Sequence, residues 1–446
     1  MRKRTGVLSR GVATKAAVAL TLTAALCVGN AAGGTAAGAQ DQASEVEEHL
    51  TEATKNSGGD LDLVNTIRTY SCDAVEDPDF YDRTSAERHD TKVPLTRVFD
   101  DLWYVGTQYV GQYILRTETG GFVLFDTQNN AAEVAEYTMP SLRTLGLGDK
   151  HPLEAVFVSH GHGDHDGGAN QLRAEFGPDL DIYIGSADAP GKAYDPELID
   201  SGIAEPQEMT VGGTTIVVQS IPGHTPGALN FLIPVSQGKE RHLMLLGGRQ
   251  GHPRGVEAAK GYLTGTERTY RLVDEYDADG SILTHPTSDG SLVRMQAIDR
   301  AGTRSPNPFV IGEDRTLRAA AIWRGCAAAW LASVDPATDV PVWRVVSLEI
   351  EQPEARAKTV TAQLETGWGS PDTEPGWGVV AGQTVTFGVT GSRDICTAVT
   401  DDTGVATCTL DRGLRPGQEV TASFEGSSNA ESVDLPANST LRVAAR

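Results

Sequence analysis

The chain has little positive charge relative to its acidity. Lys and Arg number 37 against 60 Asp and Glu, a formal net charge of −23 at pH 7. That deficit argues against nucleic-acid phosphates and anionic membrane surfaces as partners. A membrane span is not supplied either, because the apolar run 16–28 is too short to cross a bilayer. No Arg-Arg pair stands near the N-terminus to support twin-arginine export, and no apolar tail follows Leu435-Pro436-Ala437-Asn438-Ser439 to make it a sortase signal. Cysteine is scarce, with five in 446 residues.

What stands at the N-terminus is an export signal in outline. Arg2, Lys3, Arg4 and Arg10 form a basic start, 16–28 an apolar core, and Ala37-Gly38-Ala39 an A-x-A cleavage site, so 1–39 reads as a signal peptide. The mature chain is then expected to be secreted or periplasmic. Cys27 leaves with the signal, and Cys72, Cys326, Cys396 and Cys408 remain, an even number suited to an oxidising compartment. Cys396 and Cys408 flank the turn-like Asp401-Asp402-Thr403-Gly404 at a spacing that can set them opposite each other across a hairpin. Cys72 and Cys326 form the other expected pair, isolated buried thiols being the alternative.

Histidine is also sparse, and its distribution carries the chemistry. Three of the ten fall in His160-Gly161-His162-Gly163-Asp164-His165, straight after the apolar run 153–158, which reads as a buried strand. Imidazoles are good zinc ligands, and Asp164 adds a hard oxygen among them. Gly161, Gly163, Gly167 and Gly168 are expected to let the chain turn sharply off the strand. The bland alternative is a polar loop facing solvent.

The run 159–168 resembles the HxHxDH signature of the metallo-β-lactamase superfamily. Ile221-Pro222-Gly223-His224-Thr225-Pro226-Gly227 is similar to that family's PGHTPG turn, and Leu283-Thr284-His285-Pro286 to its last ligand turn. Where many superfamily hydrolases place a metal-bridging aspartate, after Leu245-Leu246-Gly247, this chain has Gly248. One β-lactamase subclass lacks both that aspartate and a cysteine ligand, and Leu102-Trp103-Tyr104-Val105-Gly106-Thr107 is similar to its N-terminal strand. The resemblance implies two zinc ions, one on His160, His162 and His224 and the other on Asp164, His165 and His285. Two such ions about 3.5–4 Å apart share a water and lower its pKa, with Asp164 as the catalytic group that orients it. The resemblance also gives Asp126 the task of fixing a ligand histidine, a plain turn residue being the alternative. Arg249 and Gln250 become candidates for binding a substrate carboxylate, with a surface arginine as the alternative for Arg249.

Along the chain, 40–60 is polar and reads as a mobile lead-in, and 61–70 as a short helix. Charged 73–92 reads as a surface loop, so that 40–92 is an N-terminal extension. From 93 to 337, two batches of strand-like runs are each followed by helical stretches, at 131–147 in the first and at 262–273 and 317–331 in the second. An α/β, αββα four-layer sandwich follows. After 337 the composition shifts to Thr, Val, Gly and Ser in short alternating runs, so 338–446 reads as an all-β sandwich. Gly404-Val405-Ala406-Thr407-Cys408 resembles bacterial immunoglobulin-like repeats. The expected function is an exported dizinc hydrolase cutting a C–N or C–O bond of a small molecule, most like a β-lactamase. The alternatives are a lactone or ester hydrolase, and a catalytically silent scaffold whose C-terminal part meets a cell-surface or matrix partner.

Overall fold

The structure is a computed structural model, and it describes residues 36–77, 91–247, 251–366, 378–391 and 395–444. The N-terminal run 1–35, which holds most of the expected signal, lies outside the described residues. Two sheets form the centre. The first has seven strands in sequence order: β1 (Lys92–Arg97), β2 (Leu102–Thr107), β3 (Gly111–Arg116), β4 (Phe122–Phe125), β5 (Leu153–Phe157), β6 (Asp181–Gly185) and β7 (Glu197–Ile199). It is antiparallel as far as β4 and parallel beyond it. The second comprises β8 (Gln207–Val211), β9 (Thr214–Ser220), β10 (Leu229–Gln237), β11 (Glu240–Leu246) and β12 (Gly280–Ile282), with β12 parallel to β11 at one edge.

Side-chain alternation decides what each face covers, since successive residues of a strand point to opposite sides. Tyr104, Val123, Phe125, Ala155 and Phe157 of the first sheet meet Ile216, Val218, Phe231, Ile233, Met244 and Leu246 of the second in one buried core. Their neighbours Trp103, Val105, Leu124, Val156 and Val158 face outward, onto Val134, Leu142, Ala169 and Leu172 of the outer helices. Val217, Leu232 and Leu245 likewise face out, under Leu272 and Val273 of the helix Val256–Tyr276 and Ala320, Trp323 and Cys326 of the helix Glu313–Val334. Helix, sheet, sheet, helix is the four-layer order expected from the sequence.

The N-terminal extension departs from expectation. Ala36–Lys55 is a helix that includes the expected cleavage site, and His49, Leu50 and Ala53 are buried. Gly325 permits the approach, for a Cβ there would lie 2.8 Å from the Ala53 Cβ. The polarity of 40–60 disguised a helix that needs only one narrow apolar stripe. A second helical stretch, 61–76, contains a π-helical turn at Val64–Arg68 and outlasts the expected 61–70, so the expected loop at 73–92 begins as helix. Residues 78–90 lie outside the described residues. Cys72 is paired with Cys326, their Cα atoms 4.9 Å apart, which ties this stretch to the helix Glu313–Val334.

Beyond Val340 the chain is all β among the described residues. Two four-stranded sheets close over a separate core of Val360, Leu364, Val385, Phe387, Ala406, Val420 and Phe424. Cys396 is paired with Cys408, but not across a hairpin. Ile395–Val399 pairs with Thr384–Val389 in one sheet and Val405–Thr409 with Thr359–Thr366 in the other, so this bond joins the two sheets. The β part rests on the helical layer. Trp343 packs on Tyr270 with ring centroids 5.4 Å apart, the Asn56 side chain bonds Trp343 O and Val345 N, and the buried Arg324 guanidinium lies 4.8 Å from the Trp343 ring centroid. No helix of the described residues is long and apolar enough to cross a membrane.

Because 254 positions separate Cys72 from Cys326, the bond closes a very long loop in the unfolded chain. The double variant C72A/C326A is expected to lose about 2–4 kcal/mol of stability, read as a lower urea midpoint under non-reducing conditions.

Candidate metal centre

Strand ends supply the centre. Asp126 follows β4, Ser159 and His160 follow β5, His224 follows β9, and His285 follows β12. Loops at strand ends can carry polar groups that the packed sheets cannot. Two backbone bonds hold these ends together: Leu229 N–H donates to Ser159 O at 2.8 Å, and Gly111 N–H to Thr284 O at 2.9 Å.

The three imidazoles of His160, His162 and His224 converge, with ligand-capable atoms within 4.8 Å of one another. His160 reaches Asp164 and His165 within the same span. Beside them, His165 Nε2 lies 3.1 Å from His285 Nε2, and Asp164 Oδ2 lies 3.5 Å and 3.4 Å from those two nitrogens. All six residues expected to ligate therefore meet in one place.

The opposite ring nitrogens fix the tautomers. His165 Nδ1 sits 2.7 Å from Asp126 Oδ2, His285 Nδ1 2.8 Å from Tyr109 O, and His224 Nδ1 2.7 Å from Gly251 O. Each acceptor requires the proton on Nδ1, which leaves the Nε2 lone pairs turned inward. His160 donates or accepts at Nδ1 with Ser159 Oγ at 3.1 Å, while its buried Nε2 has no hydrogen-bond partner. A buried polar atom without a partner is costly, and two facing acceptors have no hydrogen to share. A cation relieves both, so the donor set fits a metal.

Electrostatics agree with that fit. Burial, reinforced by neighbouring imidazoles, pushes His160 well below the usual histidine range, and burial with His162 pushes His224 down to about 3. Both are neutral at physiological pH, as ligands must be. Burial works against an ionised Asp164, but the neighbouring His285 and His165 outweigh it and hold the carboxyl well below the usual range. His165 goes the other way: burial lowers it, and Asp126, by charge and hydrogen bond, more than reverses that.

Asp126 is fully buried and adopts φ 67°, a left-handed conformation that Asp tolerates better than most residues. Its carboxylate accepts from Ser159 N–H at 2.7 Å, from Ser159 Oγ–H at 3.1 Å and from His165 Nδ1–H. That contact with a candidate ligand is the one expected, and it is more than a turn residue needs. The glycines behave differently from expectation. None of Gly161, Gly163, Gly167 and Gly168 has positive φ. Three of them are small because other atoms are close: a Cβ on Gly161 would meet the Asp188 side chain at 2.9 Å, and Cβ atoms on Gly167 and Gly168 the carbonyls of Asn129 and Thr127. Space is what these positions require, not unusual dihedrals.

Sequence reasoning missed Asp188 and Lys192. Asp188 follows β6 and accepts from Gly161 N–H at 2.7 Å, Thr225 Oγ1–H at 2.5 Å and Gly227 N–H at 2.9 Å. Lys192 Nζ donates to Gly161 O at 2.6 Å and pairs with Asp166 at 2.5 Å. The one available signal was position: β6 is parallel to β5 and ends at the same edge of the sheet. Arg249 and Gln250 lie outside the described residues, as does Gly248. His252 is next to Gly251 and stacks on Trp330, ring centroids 5.0 Å apart, while Trp330 Nε1–H donates to Pro253 O at 3.0 Å.

Residues 107–236 match the family model described as the metallo-beta-lactamase superfamily. Over that span the chain is similar to this superfamily, and the matched span contains every candidate ligand but His285. A hydroxyacylglutathione hydrolase of Crocosphaera subtropica is 34% identical over 122 residues, 27% of this chain and 45% of that protein. One from a Synechococcus species is 29% identical over 132 residues, 28% of this chain and 48% of that protein. The chain spans about half the length of these curated relatives. Among solved structures, a subclass B3 metallo-β-lactamase of Bradyrhizobium japonicum aligns with 53% of this chain and 93% of its own, at 20% identity and TM-score 0.42.

The turn that carries His285 ends on Asp289, which is fully buried and accepts from Ser291 N–H at 2.9 Å and Ser291 Oγ–H at 2.7 Å. Burial, opposed by Arg294 and these bonds, raises its pKa to about 6. The folded state therefore holds this proton more tightly than the unfolded one. Stability from Asp289 is full below about pH 4 and is lost as pH rises through about 6. Between pH 4.5 and 7.5 wild type is expected to lose about 2 kcal/mol that Asp289→Asn does not lose. Urea unfolding of both proteins at the two pH values measures the difference.

Proposed function

We propose that the protein is an exported, dizinc hydrolase of small molecules that cuts an amide or ester-type bond, with β-lactams as the leading substrate class. The observation that carries this reading is the convergence of six ligand-type side chains, with the Nε2 atoms of His165 and His285 facing each other and no hydrogen bond to satisfy His160 Nε2. His160, His162 and His224 would hold one zinc, and Asp164, His165 and His285 a second. Bound zinc supplies Lewis acidity toward a carbonyl oxygen and brings the pKa of water toward neutrality.

The chain's own residues do the rest. Asp164 stays ionised at neutral pH and can hold the attacking water and take its proton. Asp126 and the carbonyls of Tyr109 and Gly251 keep the imidazoles in one tautomer through the cycle. Arg249 is our candidate for a two-point grip on a substrate carboxylate, with Gln250 beside it. Export draws support from the paired cysteines, which persist in oxidising compartments. The β part after residue 337 would act as a second, immunoglobulin-like module, a spacer or a contact for a cell-surface or matrix partner.

Two observations pull the substrate in different directions. The curated relatives are named as hydroxyacylglutathione hydrolases, which favours an ester or thioester. Gly248, in place of a bridging aspartate, favours the β-lactam reading. Purified full-length protein is expected to carry two zinc ions per chain by elemental analysis. It should turn over a chromogenic cephalosporin, lose activity to a chelator and regain it with zinc. His224→Ala and His285→Ala should each lower kcat/KM about 100-fold or more, beyond the loss typical of outer partners. Turnover confined to a lactone or S-acyl thioester panel would select the second substrate class. Absence of bound metal would sink the reading.

A further inference from the structure

Two carboxylates lie behind the imidazoles, and they hold them differently. Asp126 binds His165 directly and reaches His160 through Ser159, whose hydroxyl lies 3.1 Å from His160 Nδ1. Asp188 touches none of Asp164, His165 and His285. Its three bonds go to Gly161 N–H, between His160 and His162, and to Thr225 and Gly227, which immediately follow His224. One side chain thus spans the two loops that bring His160, His162 and His224 together, loops that leave different sheets at β5 and β9.

The packing around Asp188 leaves no room for another arrangement. A Cβ on Gly161 would meet the Asp188 Cβ at 2.9 Å, and one on Gly227 would meet the Asp188 backbone nitrogen at 2.6 Å and its carboxyl carbon at 2.7 Å. Gly227 in turn abuts the end of β6, for a Cβ on Gly185 would lie 2.0 Å from Gly227 O. The Gly161 residue is fixed at both polar ends, its N–H by Asp188 and its carbonyl by Lys192, which is neutralised by Asp166. A carboxylate is required here, because only an acceptor with two oxygens can serve three donors on two loops.

We propose that Asp188 is the positioning residue of the His160, His162 and His224 set, and that it governs the metal affinity of that set without governing the other. The proposal rests on the metal-binding reading above and adds to it an outer residue that serves one set alone. Asp188 acts through the loops it joins and is not a catalytic residue.

The test separates the two sets with single-set backgrounds. His285→Ala leaves the first set complete, and His224→Ala leaves Asp164, His165 and His285. Cobalt(II) affinity is measured in each by competition with a chelating dye, and the cobalt absorption spectrum is recorded. Adding Asp188→Asn to the His285→Ala background is expected to weaken binding roughly 10–100-fold, the usual cost of losing an outer partner. In the His224→Ala background the same change should shift affinity by less than about threefold. Thr225→Val removes one donor and leaves the Gly161–Asp188–Gly227 link. It should weaken the first set by a smaller factor, and it serves if Asp188→Asn does not fold. Equal losses in both backgrounds, or no loss in either, overturn the assignment of Asp188 while leaving the centre intact. Wild type that takes up no cobalt overturns the metal reading itself, and the two failures are therefore distinguishable.

Discussion

Hydrogen-bond acceptors facing one another across a buried space repel, and the candidate centre is built on that repulsion. His165 and His285 each commit a proton outward, to Asp126 and to Tyr109 O, so that their inner nitrogens meet 3.1 Å apart with lone pairs opposed. Positive charge between them turns the same geometry from a cost into a gain. Asp126 and Asp164, by charge and hydrogen bond, favour positive charge at His165 in spite of its burial. The sandwich supplies what this requires: rigid strand ends that hold the rings close, and outer acceptors that prevent a ring from turning over to satisfy itself.

Much of this was legible beforehand, for reasons that differ by feature. The hexapeptide from His160 could be read because a strand, a glycine-broken turn and three histidines coincide in one short stretch. His224 and His285 could be read because each follows an apolar run. The four layers were legible too, since two batches of strand-like runs are each followed by helical stretches, and side-chain alternation in the folded strands then sorts each residue to one face. Asp188 was not legible. It follows β6 with nothing but Ser186 and Ala187 before it, and its importance arises from where two distant loops meet it. The helix Ala36–Lys55 was hidden because its polar residues outnumber the few that touch the helix Glu313–Val334. The pairing of Cys396 with Cys408 was expected but its context was not. A short turn between two strands suggests a hairpin, yet in a sandwich it can equally carry the chain from one sheet to the other.

Groups one step removed hold the candidate ligands: Asp126 on His165, Asp188 on the loops that carry His160, His162 and His224, and the Gly251 carbonyl on His224. Ser159 joins the first of these to the histidine core, since its hydroxyl lies 3.1 Å from both Asp126 Oδ2 and His160 Nδ1.

The Gly251 carbonyl extends this dependence across the molecule. Its segment is held at Pro253 O by Trp330, whose indole also stacks on His252. Trp330 belongs to the helix Glu313–Val334, and that helix is the most heavily anchored element of the outer layer. Cys326 bonds it to the helical stretch 61–76, Gly325 seats it on Ala53, and Arg324 joins it to Glu267 and to Pro341 O. The buried guanidinium stays paired because desolvating it alone would be costly. A chain that merely joined a hydrolase to an independent tail would have no reason to bury an arginine at the junction. Here Arg324 lies over Trp343 at the start of the β part while its helix holds the loop beside His224, so one rigid element serves both the junction and the centre.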